Sequence, residues 1–382
     1  RGASADVVRQ LRNHKDAQID ALIARVWGAA RETTADRSKL IDRYRKMLTA
    51  GYARKPDLEL GRAVFARTCQ QCHTLFGVGA AIGPDLTGSN RADREYILSN
   101  VLDPSALIGK DYLAHVIATT DGRVLTGLIK SEDKDAITLQ TANELLVIPK
   151  GDVDERRPSE SSMMPEDLWT PLNEFEIRSL VAYLASPSQT AMLATPDNVS
   201  GFFNGKDLTG WVGEPGLWTV EQGEIVGKTP GRKRNTFLRS EMTAQDFRLT
   251  FQVKLVRNEG NSGVQFHSEA LSDGEMKGPQ ADVGAGWWGK LYEENGRGLL
   301  WPQSAEADVK IGEWNTYEIV AVGDSIRTKI NGKPAVALDD PRVAKRGIFG
   351  LQLHSGGATE VRYKDLVLEL DPKSLESVTK PD

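Results

Sequence analysis

The spacing of apolar residues predicts two kinds of architecture within one chain. Through residues 1–51 apolar side chains recur every three or four positions, which is the period of an amphipathic helix. From 199 to 371 they instead alternate with polar side chains, as residues 247–255 show, and turn signals recur between the alternating stretches. This second pattern is typical of an all-β sandwich or barrel. We therefore expect an α-helical first part and an all-β last part.

A short stretch with the period of a strand interrupts the helical part. Residues 112–157 alternate, and Asp121-Gly122 within them is a hairpin signal. The segments on either side regain a helical period, so the stretch is predicted to be a small β insertion. The predicted organisation is a helical segment at 1–55, a helical domain at 56–186 with its insertion at 112–157, a linker at 187–198, a β-sandwich at 199–371 and a tail at 372–382.

Composition and charge narrow the class of protein. The 382 residues are 40% hydrophobic and 26% charged, with a net charge of -5, which is typical of a globular protein of two or three domains. A negative net charge argues against non-specific nucleic-acid binding. No run of 18 apolar residues is present, so we expect no membrane span in this chain. It begins at Arg1 without a visible signal peptide, and we expect it to be part of a longer polypeptide or complex.

Both cysteines of the chain lie in one stretch of five residues, Cys69-Gln70-Gln71-Cys72-His73. On a helix the two thiols and the imidazole would share a face. Two thiols can form thioethers with the vinyl groups of a haem, and the histidine can then ligate the iron as proximal ligand. A zinc site would need more ligands, a thioredoxin-type pair would leave His73 unexplained, and a disulfide here would close a strained loop. The stretch predicts one covalently bound haem c.

Two later segments are expected to complete the haem site. The turn at Pro84 is a candidate to offer a backbone carbonyl to Nδ1–H of His73, and a plain surface turn is the alternative. Met163 and Met164 precede the last helix, where a thioether can serve as distal ligand. We prefer Met164, because Pro165 stiffens the backbone beside it. His115 would be the ligand if neither methionine served, although a lone histidine on a strand is more often structural.

Ligation by histidine and methionine leaves no open coordination position on the iron. The first functional hypothesis is therefore electron transfer, which requires a redox partner. Haem is attached to a stretch of this type outside the bacterial cytoplasm, so we expect a periplasmic or otherwise extracytoplasmic location.

In the all-β part, polar residues come in pairs two positions apart. Such pairs share one face of a strand. The pairs are Gln265 with His267, Gln280 with Asp282, and Gln352 with His354. Three strands of this kind would build a polar concave surface that can hold a saccharide. Trp287, Trp288 and Tyr292 lie in or after a glycine-rich loop, and aromatic faces stack on the apolar faces of sugars; ordinary sandwich core is the alternative for the tryptophans.

From Gly61 to Leu184 the chain resembles the haem-binding c-type cytochrome domain often found at the end of large multidomain bacterial proteins. The resemblance rests on the Cys-X-X-Cys-His stretch and on four further stretches. These are Gly83-Pro84-Asp85-Leu86, Asp103-Pro104-Ser105, Asp121-Gly122 with Gly127, and Ser162-Met163-Met164-Pro165.

From Phe202 to Leu370 the chain resembles the 3-keto-disaccharide hydrolase family. The matching stretches include Phe203-Asn204-Gly205-Lys206-Asp207, Asn261-Ser262-Gly263-Val264, Glu313-Trp314-Asn315 and Gly350-Leu351-Gln352-Leu353-His354. The resemblance implies a concanavalin-like jelly-roll sandwich. Many relatives have a Glu-aromatic-Gln stretch where this chain reads Gly278-Pro279-Gln280, so a carboxylate at position 278 is absent.

The substrate class that this resemblance implies suggests a reaction. A 3-keto sugar has an acidic C2–H, so a general base can remove that proton, the C1 oxygen can leave by β-elimination, and water can add back. The candidate catalytic residues are His354, Asp282, His267 and Gln280, and the candidate substrate-binding residues are Gln265, Gln352, Trp287, Trp288 and Tyr292. The redox partner would be a sugar dehydrogenase that makes the keto sugar. A non-catalytic carbohydrate-binding sandwich is the alternative, and a metal in this domain is left open.

Overall fold

The structure is a computed structural model that describes residues 5–12, 14 and 16–375. The chain divides into two compact units between Thr190 and Ala191, inside the stretch predicted to be a linker. Residues 1–4, 13 and 15 of the predicted helical segment and 376–382 of the predicted tail lie outside the described residues. None of the helices in the described ranges is long and apolar enough to span a membrane.

The first unit contains the α-helices that the structure describes, and most of them begin where a side chain caps the first turn. The residues that accept hydrogen bonds from first-turn backbone N–H groups are Asp16, Thr34, Asp57, Asp93 and Asn173. The helices within the described residues are α1 (Ala5–Arg12), α2 (Ala17–Val26), α3 (Ala35–Thr49), α4 (Leu58–Thr68), α5 (Arg94–Leu102) and α6 (Glu174–Ala185). The segment before residue 56 is not helical throughout. It contains a strand, β1 (Gly28–Ala30), which pairs antiparallel with β2 (Leu107–Gly109).

One hydrophobic core joins the N-terminal segment to the rest of this unit. α4 packs against α6, and α3 packs against α5. The core includes Ile41 and Leu48 from α3 beside Phe65, Leu98 and Leu180. α3 therefore belongs to the same folded body as the helix that leads to the two cysteines.

The predicted β insertion is an antiparallel sheet with its own small core. Its strands are β3 (His115–Thr119), β4 (Val124–Glu132), β5 (Ala136–Gln140), β6 (Leu145–Pro149) and β7 (Val153–Pro158), in the spatial order β6-β5-β4-β3-β7. Asp121-Gly122 forms the turn between β3 and β4, where the sequence predicts a hairpin. Ile117, Ile137, Leu139 and Ile148 form a cluster separate from the helical core.

The second unit consists of two packed sheets. Its strands are β8 (Met192–Leu193), β9 (Trp211–Val212), β10 (Trp218–Glu221), β11 (Glu224–Thr229), β12 (Thr236–Ala244), β13 (Phe247–Leu255), β14 (Asn261–Ala270), β15 (Met276–Gly284), β16 (Leu291–Glu294), β17 (Gly298–Trp301), β18 (Asn315–Val322), β19 (Ser325–Ile330), β20 (Lys333–Asp339), β21 (Gly347–Leu353) and β22 (Thr359–Leu370). One sheet runs β10-β11-β22-β13-β18-β19-β20, and the other runs β17-β16-β15-β14-β21-β12-β8 with β9 beside β12.

The fold class predicted from the sequence is confirmed: a helical domain with a β insertion precedes a β-sandwich. Alternate residues of β14, β15 and β21 fill the core between the sheets, among them Val264, Ala281 and Leu351. Their polar neighbours point to the opposite face of the same sheet. β8 pairs in parallel with β12, so the second half of the predicted linker is part of the sandwich.

Candidate functional site

The two cysteines and the histidine lie in a single turn after α4. That helix ends at Thr68, so the three side chains are presented by a turn and not by a regular helix. The carbonyl of Phe65 accepts hydrogen bonds from both Cys69 and Gln70, and the second of these spans five residues, which breaks the helical register. The N–H groups of Cys72 and His73 then donate to the carbonyl of Cys69 at 3.0 and 2.9 Å. The turn keeps all three side chains within one turn of backbone.

The imidazole of His73 is fixed by the turn that follows it. Its Nδ1 lies 2.9 Å from the carbonyl of Pro84, so Nδ1 carries the proton and donates, and Nε2 keeps its lone pair. Gly83 lies against the ring, where an added Cβ would be 2.7 Å from Cε1. Burial lowers the pKa of His73, while the Pro84 carbonyl acts in the opposite direction. A neutral imidazole with an oriented lone pair suits an iron ligand.

The two thiols and this imidazole form a donor set that fits a c-type haem. Both cysteines are free thiols. Burial raises the pKa of Cys69 to about 11 and also raises the pKa of Cys72, so both are protonated at neutral pH. Cys69 and Cys72 would hold the haem through thioethers, and His73 would be the proximal ligand. Within the described ranges, no cluster of three or more His, Cys, Asp or Glu residues could hold a metal ion.

The candidate distal ligands lie in a loop held by serine hydroxyls. Met163 and Met164 are both half-buried. The N–H of Met164 donates to Oγ of Ser162 at 3.1 Å, and the N–H of Ser162 donates to Oγ of Ser105, also at 3.1 Å. His115 lies on β3, where its Nδ1 is buried without a hydrogen-bond partner in the part of the chain that the structure describes. Residues 162–166, which we call the methionine loop, are thus anchored to the turn that follows α5.

In the sandwich, a chain of hydrogen bonds crosses the outer face of one sheet. Oγ of Ser268 donates to Oε1 of Gln265 at 2.6 Å, and Nε2 of Gln265 donates to Oε1 of Gln280 at 3.2 Å. Nε2 of Gln280 donates both to Oδ1 of Asp282 at 2.8 Å and to Oε1 of Gln352 at 3.2 Å. Each donor in this series bonds to the next side chain, so all the hydrogen bonds run in one direction. We call Ser268, Gln265, Gln280, Asp282, Gln352 and Glu294 the amide chain.

The amide chain ends at two carboxyl groups. Nε2 of Gln352 donates to Oε1 of Glu294 at 2.8 Å, and Asp282 is the other end. Asp282 is only 2% exposed, and its Oδ2 is buried without a hydrogen-bond partner among the described residues. Burial raises the pKa of Asp282 to about 7; Glu294 adds to the rise, and Gln280 and Lys290 oppose it. Asp282 therefore combines a buried, unpaired oxygen with a pKa raised toward neutrality, and both properties suit a group that binds or transfers a proton.

Two aromatic side chains lie near the amide chain, on the side of Gln280. The N–H of Asp282 donates to the carbonyl of Lys290, and Tyr292 pairs across the sheet with Gln280. Trp287 is 38% exposed, its ring meets Tyr292 edge to face at 6.3 Å, and the ammonium of Lys290 lies 4.7 Å from its centroid. An accessible indole in contact with the tyrosine opposite Gln280 is an arrangement that can receive a sugar ring.

Two family models match the chain. A cytochrome c model matches residues 58–188, and a model described as a 3-keto-alpha-glucoside-1,2-lyase-like domain matches residues 199–369. The chain joins a cytochrome c domain to a 3-keto-alpha-glucoside-1,2-lyase-like domain. Both resemblances inferred from the sequence are confirmed, and the two parts are called the cytochrome domain and the lyase-like domain below.

Comparison with solved structures gives matches of lower similarity. A candidate glycosyl hydrolase from Parabacteroides distasonis is 19% identical, covers 46% of this chain and 97% of its own, and has a TM-score of 0.34. A carbohydrate-binding module from Bacillus subtilis is 20% identical, covers 42% of this chain and 95% of its own, and has a TM-score of 0.33. None of the curated proteins compared with the chain matches it.

His267 does not share a face with Gln265 in the lyase-like domain, so that prediction is wrong. A β-bulge after Gln265 interrupts the pairing of β14, and His267 has a positive φ of 46°. Its ring packs against Phe247, and its two nitrogens lie 2.7 and 2.5 Å from the carbonyls of Ala344 and Gln245. Burial lowers the pKa of His267, and those two carbonyls oppose the shift. Both nitrogens are committed to backbone contacts.

Two further predicted site residues lie elsewhere than expected. β21 ends at Leu353, so His354 is not on the strand with Gln352; it is half-buried at the start of the next loop, where its Nδ1 donates to the carbonyl of Ser355 at 2.6 Å. Trp288 is 1% exposed, lies in the sandwich core and donates from Nε1 to Asn258. It cannot stack on a sugar in this conformation, so Trp287 and Tyr292 remain as the candidate aromatic residues.

The structure adds Ser268 to the site and shows why position 278 is glycine. The bulge that removes His267 brings Ser268 against Gln265. Ser268 also occupies the space beside Gly278, where an added Cβ would be 2.3 Å from Oγ. Glu294 is the direct cross-strand partner of Gly278. The alternating pattern around Ser268 gives no sign of the bulge, so sequence reasoning missed this residue.

Proposed function

We propose that the lyase-like domain cleaves 3-keto-glycosides by removing the proton at C2 and eliminating the C1 oxygen. The observation that carries this proposal is the buried, unpaired Oδ2 of Asp282, with a pKa of about 7. A general base works best when its pKa lies near the operating pH. An ordinary surface carboxylate would be too weak a base for this step. Burial raises the pKa of Asp282 and so makes its carboxylate a stronger base.

The proposed roles follow from hydrogen bonding. Gln280 holds Oδ1 of Asp282, so Oδ2 takes the C2 proton while the C–H electron pair forms a double bond to C1 and the C1–O bond breaks. Nδ1 of His354 donates to a backbone carbonyl, so in the imidazolium form the second proton lies on Nε2, and Nε2–H would give that proton to the departing oxygen. Water then adds across the double bond and releases the free keto sugar.

The test compares the full chain with Asp282→Asn on a 3-keto-glycoside, following the release of reducing sugar. We expect the variant to lose about 100-fold or more in kcat and to lose exchange of the C2 proton with deuterated solvent. Asp365→Asn is the matched control, because Asp365 is an exposed carboxylate of β22, bonded to Gln252 in the other sheet. Full activity in Asp282→Asn would contradict the role of Asp282.

A non-catalytic saccharide-binding role is the second candidate. The observation that favours it is the contrast between Trp287, which is 38% exposed, and Asp282, which is 2% exposed. In a binding module Trp287→Ala would weaken saccharide binding, and no keto-glycoside would be cleaved by any variant. Binding without cleavage in the unmodified chain would therefore favour this second role.

We propose that the cytochrome domain carries electrons, with one haem held by Cys69, Cys72 and His73 and with Met164 as distal ligand. A haem bound in this way supplies one-electron transfer. The methionine loop precedes α6, and Pro165 restricts the backbone next to Met164. The test is the charge-transfer band of methionine-ligated ferric haem, recorded in Met164→Ala and in Met163→Ala. Loss of the band only in Met163→Ala would contradict the assignment.

We propose an extracytoplasmic sugar dehydrogenase as redox partner. Oxidation of a glycoside at C3 releases two electrons and makes the substrate class proposed for the lyase-like domain, and the pairing of domains supports this order of events. The test is stopped-flow reduction of the haem by a reduced sugar dehydrogenase from the same organism. Rates no faster than those with an unrelated cytochrome of similar potential would contradict the partnership.

A further inference from the structure

The N-terminal segment, in which the sequence predicts no functional residue, contacts the methionine loop. Arg37 lies on α3, and its Nη2 forms an ion pair with Oε2 of Glu166. Its Nη1 donates to the backbone carbonyls of Glu166 and Leu102, both at 3.2 Å. One guanidinium therefore ties α3 to the end of α5 and to the residue two positions after Met164.

The other oxygen of Glu166 connects to the opposite side of the loop. Oγ of Ser105 donates to Oε1 of Glu166 at 3.1 Å and accepts the N–H of Ser162, also at 3.1 Å. Ser162 in turn accepts the N–H of Met164. The chain of bonds therefore leaves the loop at Ser162 and returns to it at Glu166, so it encloses both methionines.

A second arginine of the N-terminal segment reinforces this arrangement. Nη2 of Arg31 donates to Oδ1 of Asp103 at 2.7 Å and lies 3.8 Å from Oε1 of Glu166. Asp103 is 1% exposed, and it directly precedes the turn that carries Ser105. Charged hydrogen bonds of this kind are stronger than neutral ones and fix geometry as well.

We propose that Arg37, Ser105 and Glu166, which we call the loop clamp, are positioning residues that hold the distal methionine in place for the haem iron. The clamp would make the N-terminal segment part of the electron-transfer site. A thioether is a weak ligand, so the time it spends on the iron depends on how firmly the protein holds its backbone. This inference rests on the proposed methionine ligation.

The test uses the full chain with haem attached and measures carbon monoxide binding to the ferrous form, which requires the distal ligand to leave. We expect Arg37→Ala to bind carbon monoxide about tenfold faster, because losing a charged hydrogen bond shifts the loop toward its open form. The charge-transfer band should weaken and the midpoint potential should fall, while the amount of attached haem stays unchanged. Arg37→Lys should recover only part of the effect, since an ammonium cannot make all three contacts.

Arg45→Ala is the matched control. Arg45 also lies on α3 and pairs with Glu95 of α5 at 2.7 Å, but it does not contact the methionine loop. The Arg45→Ala variant should bind carbon monoxide at the rate of the unmodified protein. Glu166→Gln keeps the shape of the side chain and removes its charge, so it should act like Arg37→Ala even if that variant folds poorly.

The outcomes separate this inference from the ligand proposal. If neither methionine change alters the band, methionine ligation fails, and the clamp fails with it. If a methionine change abolishes the band while Arg37→Ala and Glu166→Gln match Arg45→Ala, the ligand proposal stands and the clamp is overturned.

Discussion

The two candidate sites are built in opposite ways. Cys69, Cys72 and His73 lie in five consecutive residues, and one turn of backbone brings them together. The amide chain of the lyase-like domain takes its members from four strands, and Gln280 and Gln352 are 72 positions apart. The first site depends on local spacing. The second depends on the pairing register of a whole sheet.

This difference decides how each site responds to a local irregularity of the backbone. The haem-binding turn keeps its spacing even though α4 ends before it, because the spacing is set by adjacent residues. In the sheet, a single bulge in β14 turns His267 away from the face of Gln265 and puts Ser268 there instead. A local site can be read from a motif, whereas a distributed one needs the register to be known.

The largest expected effect comes from breaking the local site. In Cys69→Ala/Cys72→Ala no thioether can form, so we expect complete loss of covalently bound haem, measured by haem staining of the denatured protein. The cleavage activity proposed for the lyase-like domain should be unchanged, since no residue of the amide chain is altered. Covalent haem in the double variant would contradict the assignment of these cysteines.

The next effect is a dependence of stability on pH that belongs to Asp282. Burial raises its pKa from 3.8 to about 7, so between about pH 4 and 7 the folded state keeps a proton that the unfolded state releases. The free energy of unfolding should therefore fall as pH rises through this window, by up to about 4 kcal/mol. The contribution is fully present below about pH 4 and lost above about pH 7.

Asp282→Asn isolates this dependence. The difference in unfolding free energy, variant minus unmodified protein, should grow from about pH 4 to about pH 7 and then level off. Urea unfolding followed by tryptophan fluorescence measures it. A difference that stays constant with pH would mean that the pKa of Asp282 is ordinary in the folded protein.

A smaller effect is expected from interrupting the amide chain in its middle. Gln280→Leu removes three hydrogen bonds at once, those to Nε2 of Gln265, Oδ1 of Asp282 and Oε1 of Gln352, and we expect a loss of about 3 kcal/mol in the free energy of unfolding. Ser268→Ala removes only the first donor and should cost about 1 kcal/mol. The exposed Gln303→Leu is the control. Equal losses in Gln280→Leu and Ser268→Ala would show that the bonds do not act as a chain.

The smallest effect is expected from removing the β insertion. Its ends are adjacent, since the N–H of Ser159 donates to the carbonyl of Ala114 at 2.8 Å. Its core is separate from the helical core. Deleting 115–158 and joining the ends through a short glycine linker should leave haem attachment intact. A soluble deletion variant without haem would show that the strands form part of the haem pocket.

The sequence predicts the elements well where short-range physics decides them. Helix starts follow from capping residues such as Asp57 and Asp93, and the turn at Asp121-Gly122 follows from its dipeptide. The carbonyl of Pro84 accepts the hydrogen bond from Nδ1 of His73 that the sequence predicts. Each of these features depends on residues that are close together in the sequence.

What the sequence does not reveal depends on long-range packing. Arg37 and Glu166 are 129 positions apart, and each reads as an ordinary surface charge until the fold brings them together. Trp288 and Trp287 are neighbours with the same side chain, but one lies in the core and the other is accessible. Alternation alone cannot show which of two such neighbours points inward when a loop intervenes.

The pairing of β3 with β7 has a consequence for the order in which the cytochrome domain folds. α4 must find α6 across the entire insertion, and the entropy of closing a loop grows with its length. The hairpins of the insertion are local and can form within microseconds. Once β3 lies beside β7, Ala114 and Ser159 meet, and the loop to be closed between α4 and α6 is shortened by the length of the insertion to residues 69–114 and 159–173. The strands that separate the two halves of the haem-binding domain thus become the bridge that brings them together, and we expect them to form first.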